Sequence, residues 1–383
     1  MINGLFLLWI TKRMGEISIL YLTLYGARVG GGEVQYEYLI KGLDRKRFCP
    51  IVICPSKGDL VESFLSEGIP THVLKLPRWL HVQSVLTKRI AVKKIVQFAK
   101  KAGIDLIHSD HRMNPYMLAV SRALSIPNIV HVRSQMRENH AKCYSLKQAS
   151  SVVSIGYRYR DALIQDGVPE EKIEVIFDAV DTRKFRPKKS RTNILVQEYA
   201  PRAKVLVGFV GRIELAKRQF DFLKIVKDIL ASGREAHFFV IGDIYSKQYY
   251  YKLKAFCNQN GLNSYVTFTG RMGDMPNVLA SLDFLLTLSG GSVMIEAMSC
   301  GIPVIFLTST DPSKLHIVQH NETGIVVSDK SLSSVTEAVI DLIDNPNLRD
   351  AFGIAGRQRV EAHFDVTQMV QKIEGIYQKL GNR

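Results

Sequence analysis

The sequence has no Cys-x-x-Cys pair, no histidines clustered at metal-ligand spacing and no long unbroken apolar run. Its five cysteines, Cys49, Cys54, Cys143, Cys257 and Cys300, are odd in number and scattered. A zinc site is therefore not expected, and a reducing, cytoplasmic setting is. The apolar stretch Gly4–Ile10 is far too short to span a bilayer, and Lys12 and Arg13 follow it, the wrong charge order for a secretory signal. It reads as a tail, with Met14 the expected start of translation because a strand-like run begins just after it. Acidic residues are scarce: 36 Asp and Glu against 51 Lys and Arg leave a formal charge of +15. That balance predicts an anionic partner, whether nucleotide diphosphate, acidic lipid head group or nucleic acid, without choosing among them.

What is present describes an ordinary globular chain. A length of 383 residues exceeds one compact core and suits two domains, and 46% hydrophobic with 23% charged residues excludes extensive disorder. Apolar, β-branched runs bounded by Gly, Asn or Asp recur with helical-period segments between them. In the first half they are Ile17–Leu22, Cys49–Cys54, Leu106–His108, Ile129–Val132, Ser151–Ile155 and Val175–Phe177. The second half restarts with Val205–Val210, His237–Ile241, Val266–Thr269, Phe284–Leu288, Val304–Phe306 and Ile325–Val327. Two such series predict an α/β protein of two doubly wound, Rossmann-like units. The expected boundaries are a first domain over 1–186, a Pro-, Lys- and Arg-rich connection at 187–204, a second domain over 205–365, and a final helix, 366–383, packing back on the first domain.

The strongest chemical signal is Gly211-Arg212-Ile213-Glu214-Leu215-Ala216-Lys217-Arg218, directly after the strand Val205–Val210. Arg212, and Lys217 at the expected start of a helix, offer two fixed cations to a diphosphate and to the charge growing on a leaving nucleotide. A second segment, Ser289-Gly290-Gly291-Ser292 followed by Val293-Met294-Ile295-Glu296-Ala297-Met298, puts bare amides at a strand end with a helix behind them. Glu296, one turn inside, is placed to accept hydrogen bonds from ribose hydroxyls. Alone, that segment is no more than a tight strand-to-helix turn.

Together, Gly-Arg-x4-Lys and Glu-Ala-Met-x-x-Gly-x-Pro-Val make the chain similar to the retaining GT-B transferases of glycosyltransferase family 4. Gly30-Gly31-Gly32-Glu33 resembles that family's glycine-rich loop, under the donor phosphates and near the acceptor. Ile176–Phe185 is similar to its Pro-Asn-Gly-Val-Asp-x-x-x-Phe segment, and Val266–Gly270 to the strand and loop, ending at Gly270, that hold the nucleobase. The resemblance implies two facing Rossmann-like domains with a cleft between them, a nucleotide-diphosphate sugar as substrate, no cofactor and no required metal. It also implies net retention at the anomeric carbon and transfer to a glycan or lipid-linked acceptor in cell-envelope polysaccharide, lipopolysaccharide or glycolipid synthesis. Uridine, guanosine and adenosine donors all remain open.

Three departures qualify it. The family's two glutamates are separated by seven residues; Glu296 fits the second, but Leu288 stands at the first. The family's His-x-His becomes His108-Ser109-Asp110-His111, leaving His108, Asp110 and His111 each a candidate for the reaction centre. Asp178-Ala179 replaces Asn-Gly. Because of Leu288, a nucleotide-sugar-binding subunit with little catalysis is an alternative, and an epimerase of the same architecture is another. Arg133, at the end of Ile129–Val132, is expected on the acceptor side with Glu33. The segment 82–102 carries Lys88, Arg89, Lys93, Lys94, Lys100 and Lys101 among Val85, Leu86, Ile90, Val92, Ile95, Val96 and Phe98. It is either a crossover helix with a solvated basic face or a surface helix that meets anionic lipid, giving peripheral attachment to the inner membrane face. Nucleic acid is not expected, since the basic residues are spread over many segments and no recognition helix is evident.

Overall fold

The apolar runs become parallel strands because a strand covered by helices on both faces has no wet side on which to alternate. His237–Ile241, for example, is buried at every position. A computed structural model describes residues 15–77, 79–80, 85–134, 139–187, 194–199, 204–308, 316–328 and 331–381. The Gly4–Ile10 tail, Met14, residues 82–84 and much of the 187–204 connection lie outside the described residues.

The chain divides into two units, residues 1–178 with 366–383, and residues 179–365. The first unit runs β1 (Ile17–Leu22), α1 (Gly31–Gly42), β2 (Phe48–Cys54), α2 (Asp59–Ser66), β3 (Thr71–Val73), α3 (Val85–Lys101) and β4 (Leu106–Asp110). It continues through α4 (Asn114–Leu124), β5 (Asn128–Val132), α5 (His140–Cys143), β6 (Ser151–Ser154), α6 (Tyr157–Gln165) and β7 (Ile173–Val175). In the second unit α7 (Ile194–Tyr199), β8 (Leu206–Val210), α8 (Gln219–Ala231), β9 (His237–Ile241), α9 (Lys247–Gln259) and β10 (Val266–Gly270) come first. There follow α10 (Met275–Leu279), β11 (Phe284–Thr287), α11 (Val293–Ser299), β12 (Val304–Leu307), β13 (Gly324–Val327), α12 (Leu332–Asp344) and α13 (Pro346–His363). The last helix, α14 (Val366–Gly381), belongs to the first unit.

Both sheets are parallel and wound alike, β3-β2-β1-β4-β5-β6-β7 and β10-β9-β8-β11-β12-β13. Strand order reverses between β1 and β4 and again between β8 and β11. At such a reversal the flanking connections leave toward opposite faces, which opens a crevice beyond the carboxyl ends.

The first passage between units falls at Asp178, upstream of the expected connection. The reason is that residues 180–185 are laced onto the second unit. Val180 donates its amide to the Phe364 carbonyl at 2.9 Å. The Arg357 guanidinium donates to the carbonyls of Thr182 (3.0 Å), Phe185 (2.6 Å) and Ser299 (2.6 Å).

In the first unit, α14 lays Met369, Val370, Ile373 and Tyr377 onto α1 and β1. Tyr377 Oη meets Tyr21 Oη at 2.7 Å and His108 Nδ1 at 2.5 Å, all buried. The His108 and His131 rings stack at 5.4 Å. Burial, with Arg133 nearby, lowers His108 from 6.5 to about 3 and pushes His131 down as well. The native state thus refuses protons that the unfolded chain accepts below pH 6.5, so stability is present above that pH and is lost as pH falls toward the folded value. Urea unfolding should therefore show a loss of about 2 kcal/mol from His108 alone between pH 7 and pH 5. Equal stability at the two values would mean that the imidazole is not held neutral.

Candidate active site

In the second unit the sequence motifs fall where the reversal between β8 and β11 would use them. Gly211 follows β8 and lies against Gly242, which follows β9. A Cβ on Gly242, at φ +150°, would sit 2.2 Å from the Gly211 carbonyl oxygen, so only glycine lets the two loops touch. The Gly242 amide in turn donates to the Gly270 carbonyl at 2.9 Å, placing the ends of β8, β9 and β10 side by side.

Lys217 lies in the 3-10 turn Leu215–Lys217, not at the start of α8 as expected from the sequence. Arg218 breaks the path with φ 62°, and the helix begins at Gln219. The Lys217 stem crosses Gly211, where a Cβ would meet Cδ at 3.4 Å, and Nζ reaches to 4.0 Å from the position a Cβ would take on Gly291. The two glycine motifs, eighty residues apart, therefore converge on one ammonium. Burial lowers the Lys217 pKa, with the Glu214 carboxylate opposing that shift and Arg212 adding to it.

Arg212 is held by its own neighbours. Buried Gln219 donates to the Arg212 carbonyl at 2.8 Å. The guanidinium pairs with Glu214, Nη2 to Oε1 3.1 Å, and lies over the Tyr245 ring with 5.0 Å to the centroid. It remains 43% exposed.

The loop Ser289-Gly290-Gly291-Ser292 is set by Thr287, whose buried hydroxyl accepts the Gly290 amide at 3.1 Å. Gly290 (φ 66°) and Gly291 (φ 127°) take backbone conformations closed to most side chains. Gly290 is backed by Phe306 and buried, whereas Ser289 and Gly291 are exposed. Glu296 sits on α11, half-buried, its amide bonded to the Ser292 carbonyl at 3.1 Å. Leu288, where the family carries its first glutamate, is 4% exposed and packs into the hydrophobic core of the unit.

The first unit assembles its candidates differently. Gly31, Gly32 and Glu33 form the first turn of α1 and not a loop; Glu33 Oε2 accepts the Gly30 amide at 3.0 Å, closing the helix start. Burial raises the Glu33 pKa, opposed by the backbone amides it accepts from at Gly30 and Glu33, while the Asp110 charge adds to the rise and Arg112 opposes it. β4 runs on to Asp110, beyond the expected end at His108. His108 is fully buried and its Nδ1 is bonded to the Tyr377 hydroxyl, so part of its hydrogen-bonding capacity is spent inside the unit. His111 is also buried, and Asp110 is committed as an N-cap, accepting the Arg112 amide at 2.9 Å and its Nε at 3.0 Å. Arg133 does not project toward solvent: its side chain is 5% exposed and pairs with Asp178, over the Tyr36 ring. Gly32 lies against it, the position a Cβ would take there being 3.8 Å from Arg133 Cδ.

The residues to which the sequence reading gave no role are Glu214, Tyr245, Gly242 and Thr287. A Gly-Asp pair after a buried strand and a Thr two residues before Ser-Gly-Gly were the available signals; nothing local marks Tyr245, which reaches Arg212 only through the fold. Among the described residues no group of three or more His, Cys, Asp or Glu is arranged to hold a metal ion, and no helix is long and apolar enough to cross a membrane.

Residues 29–184 match the pattern of Glycosyltransferase Family 4, and 190–359 that of Glycosyl transferases group 1. The alpha-D-kanosaminyltransferase of Streptomyces kanamyceticus is 25% identical over 292 residues, 70% of this chain and 74% of its own. A GDP-mannose-dependent monoacylated alpha-(1-6)-phosphatidylinositol monomannoside mannosyltransferase of Corynebacterium glutamicum is 30% identical over 181 residues, 44% of this chain and 45% of its own. The crystal structure of Anabaena Alr3699/HepE with UDP and glucose superimposes with a TM-score of 0.82 at 21% identity, covering 95% of this chain and all of that one, a likeness of fold. With both sheets wound in the Rossmann manner and both halves matched in order, the chain belongs to glycosyltransferase family 4 and is a glycosyltransferase of the GT-B fold.

Proposed function

We propose that the protein moves a sugar, with retention and without a metal, from a nucleotide diphosphate to a glycan or lipid-linked acceptor. The observation carrying this reading is the convergence of Lys217 on Gly211 and Gly291, with Arg212 close by, at the carboxyl ends of β8 and β11. In this reading Lys217 and Arg212 neutralise the charge that collects on the leaving diphosphate, and loop amides take its oxygens. Glu296 accepts from the ribose hydroxyls, and the Gly270 loop lies against the base. The matched relatives support a role in glycan or glycolipid synthesis. Their names include a GDP-mannose-dependent enzyme and the fold neighbour holds UDP, so the base stays open. The test is a donor panel of UDP-, GDP- and ADP-sugars read by thermal shift, then transfer to a lipid extract, with product anomers assigned by NMR and EDTA added in a parallel arm. Absence of binding to every member would overturn the reading; loss of transfer with EDTA would overturn the metal-free part alone.

The burial of Leu288 favours a second reading, a binding subunit with little catalysis, because no carboxylate stands at that place. Donor binding without hydrolysis or transfer to any acceptor pool would select it.

Attachment to an anionic membrane surface is supported by α3. Its second half is an ordinary crossover helix, with Ala91, Ile95, Phe98 and Ala99 in the core. Its first half leaves Val85, Leu86 (73%) and Ile90 (55%) exposed beside exposed Arg89, Lys93 and Lys94, next to exposed Leu80. Apolar side chains flanked by cations suit the boundary between acyl chains and anionic head groups. Flotation with phosphatidylserine vesicles should enrich the protein over neutral vesicles, and Leu86→Asp with Ile90→Asp should abolish the enrichment. Equal flotation with neutral vesicles would refute it.

A further inference from the structure

The pairing of Glu214 with Arg212 goes beyond the cation clamp. We propose that Glu214 is the resident counter-charge of the diphosphate site, a positioning residue that retakes Arg212 as the spent nucleotide leaves and so speeds product release. This inference rests on the donor reading above.

Glu214 immediately precedes the 3-10 turn that carries Lys217, and it acts on both cations: it pairs with the Arg212 guanidinium at 3.1 Å and bears electrostatically on the Lys217 ammonium. It is also the less exposed partner, 19% against 43%, so it is fixed in place while Arg212 stays outward and reachable. The exposed Tyr245 ring supports the guanidinium from a second side, so that releasing Glu214 does not release Arg212 to solvent altogether. A diphosphate arriving at Arg212 and Lys217 must therefore compete with a carboxylate that is already there.

That competition is unequal for substrate and product. In the donor both phosphates are esterified and carry about two negative charges in total. The released nucleoside diphosphate has a terminal phosphate whose second ionisation lies near pH 6, bringing its charge to about three at neutral pH. A fixed carboxylate repels the product more than the donor, in proportion to charge. Without it, a site built on two cations would hold its own product more tightly than its substrate.

The experiment is calorimetric titration of the full chain with UDP and UDP-glucose, and with GDP and GDP-mannose, for wild type, Glu214→Gln and Glu214→Asp. Glu214→Gln should bind the nucleoside diphosphate about tenfold more tightly and the sugar conjugate about fivefold, with both gains shrinking at high salt. Under saturating donor its kcat should fall while KM falls too, through retained product; Glu214→Asp, keeping the charge, should stay near wild type. An unchanged Kd for both ligands, or tightening by one common factor that salt does not alter, would overturn the proposal, because a purely structural glutamate would give either. If the wild type binds none of the four, the donor reading itself fails; if it binds and Glu214→Gln matches it, only this inference fails.

Discussion

Lys217→Ala is expected to reduce sugar transfer by about 10²-fold or more and to weaken nucleotide-diphosphate binding, the loss typical of removing one preorganised charge-stabilising donor. The size follows from how the ammonium is held. Its stem runs over Gly211, its tip lies beside Gly291, and burial lowers its pKa, so it is a cation partly stripped of water before a ligand arrives. Such a group gains more from a phosphate than a solvated lysine does, because the dehydration cost has already been met by folding. Lys217→Arg should recover only part of the loss, since a planar fork directs its charge differently from the point charge of an ammonium. Arg212→Ala should act in the same direction with a smaller effect on binding, as Arg212 is the more exposed of the two cations. Isothermal titration with the donor, alongside initial rates, checks both. Wild-type donor affinity in Lys217→Ala would remove the clamp.

Leu288→Glu should fail to restore a family-like active site and should destabilise the second unit by about 3–5 kcal/mol, the range for an unpaired charge placed in a core. Leu288 is 4% exposed and lies in a cluster with Phe209, Phe222, Leu286 and Ile305. A carboxylate there would stay neutral until well above its ordinary pKa, so the penalty should grow as pH rises from 5 to 8. Chemical denaturation at those two pH values measures it. A stable variant with raised transfer would show that position 288 reaches the donor after all. The same comparison bears on the proposed catalysis: with no carboxylate at 288, the exposed Ser289 at the start of the adjoining loop is the nearest polar side chain in sequence that can take over hydrogen bonding to a sugar.

Much of the architecture was legible because buried parallel strands announce themselves by composition. His237–Ile241 needed no alternation to be read, and its observed bounds agree with the reading. β3, three residues long, was not read because Thr71-His72-Val73 carries no run to detect. Val175–Phe177 was placed two residues late: the strand is Ile173–Val175, and Glu174 within it breaks the apolar run. The start of α8 was read at Lys217 because the helical pattern of Phe222, Leu223, Val226 and Ile229 does not reveal the left-handed Arg218 that separates turn from helix.

The site divides along the same line. The strand-end positions of Gly211, Arg212, Lys217 and Gly290-Gly291 were legible because each motif is local: a strand end, a turn that only glycine can make, a cation at fixed spacing. What the chain does with His108, Asp110, His111 and Arg133 was not readable, because a side chain's fate depends on what the fold lays beside it. His108 is bonded to Tyr377, 269 residues away, and Arg133 to Asp178, 45 away. The sequence by itself determined two doubly wound units and the places of Arg212, Lys217 and the Ser289–Ser292 turn at strand ends, since both depend on short-range period and spacing. Only the tertiary structure decided which polar groups are spent on each other, placing Leu288 in the core and Glu214 against Arg212, because burial and charge pairing are settled by neighbours distant in the chain or by the path of a turn.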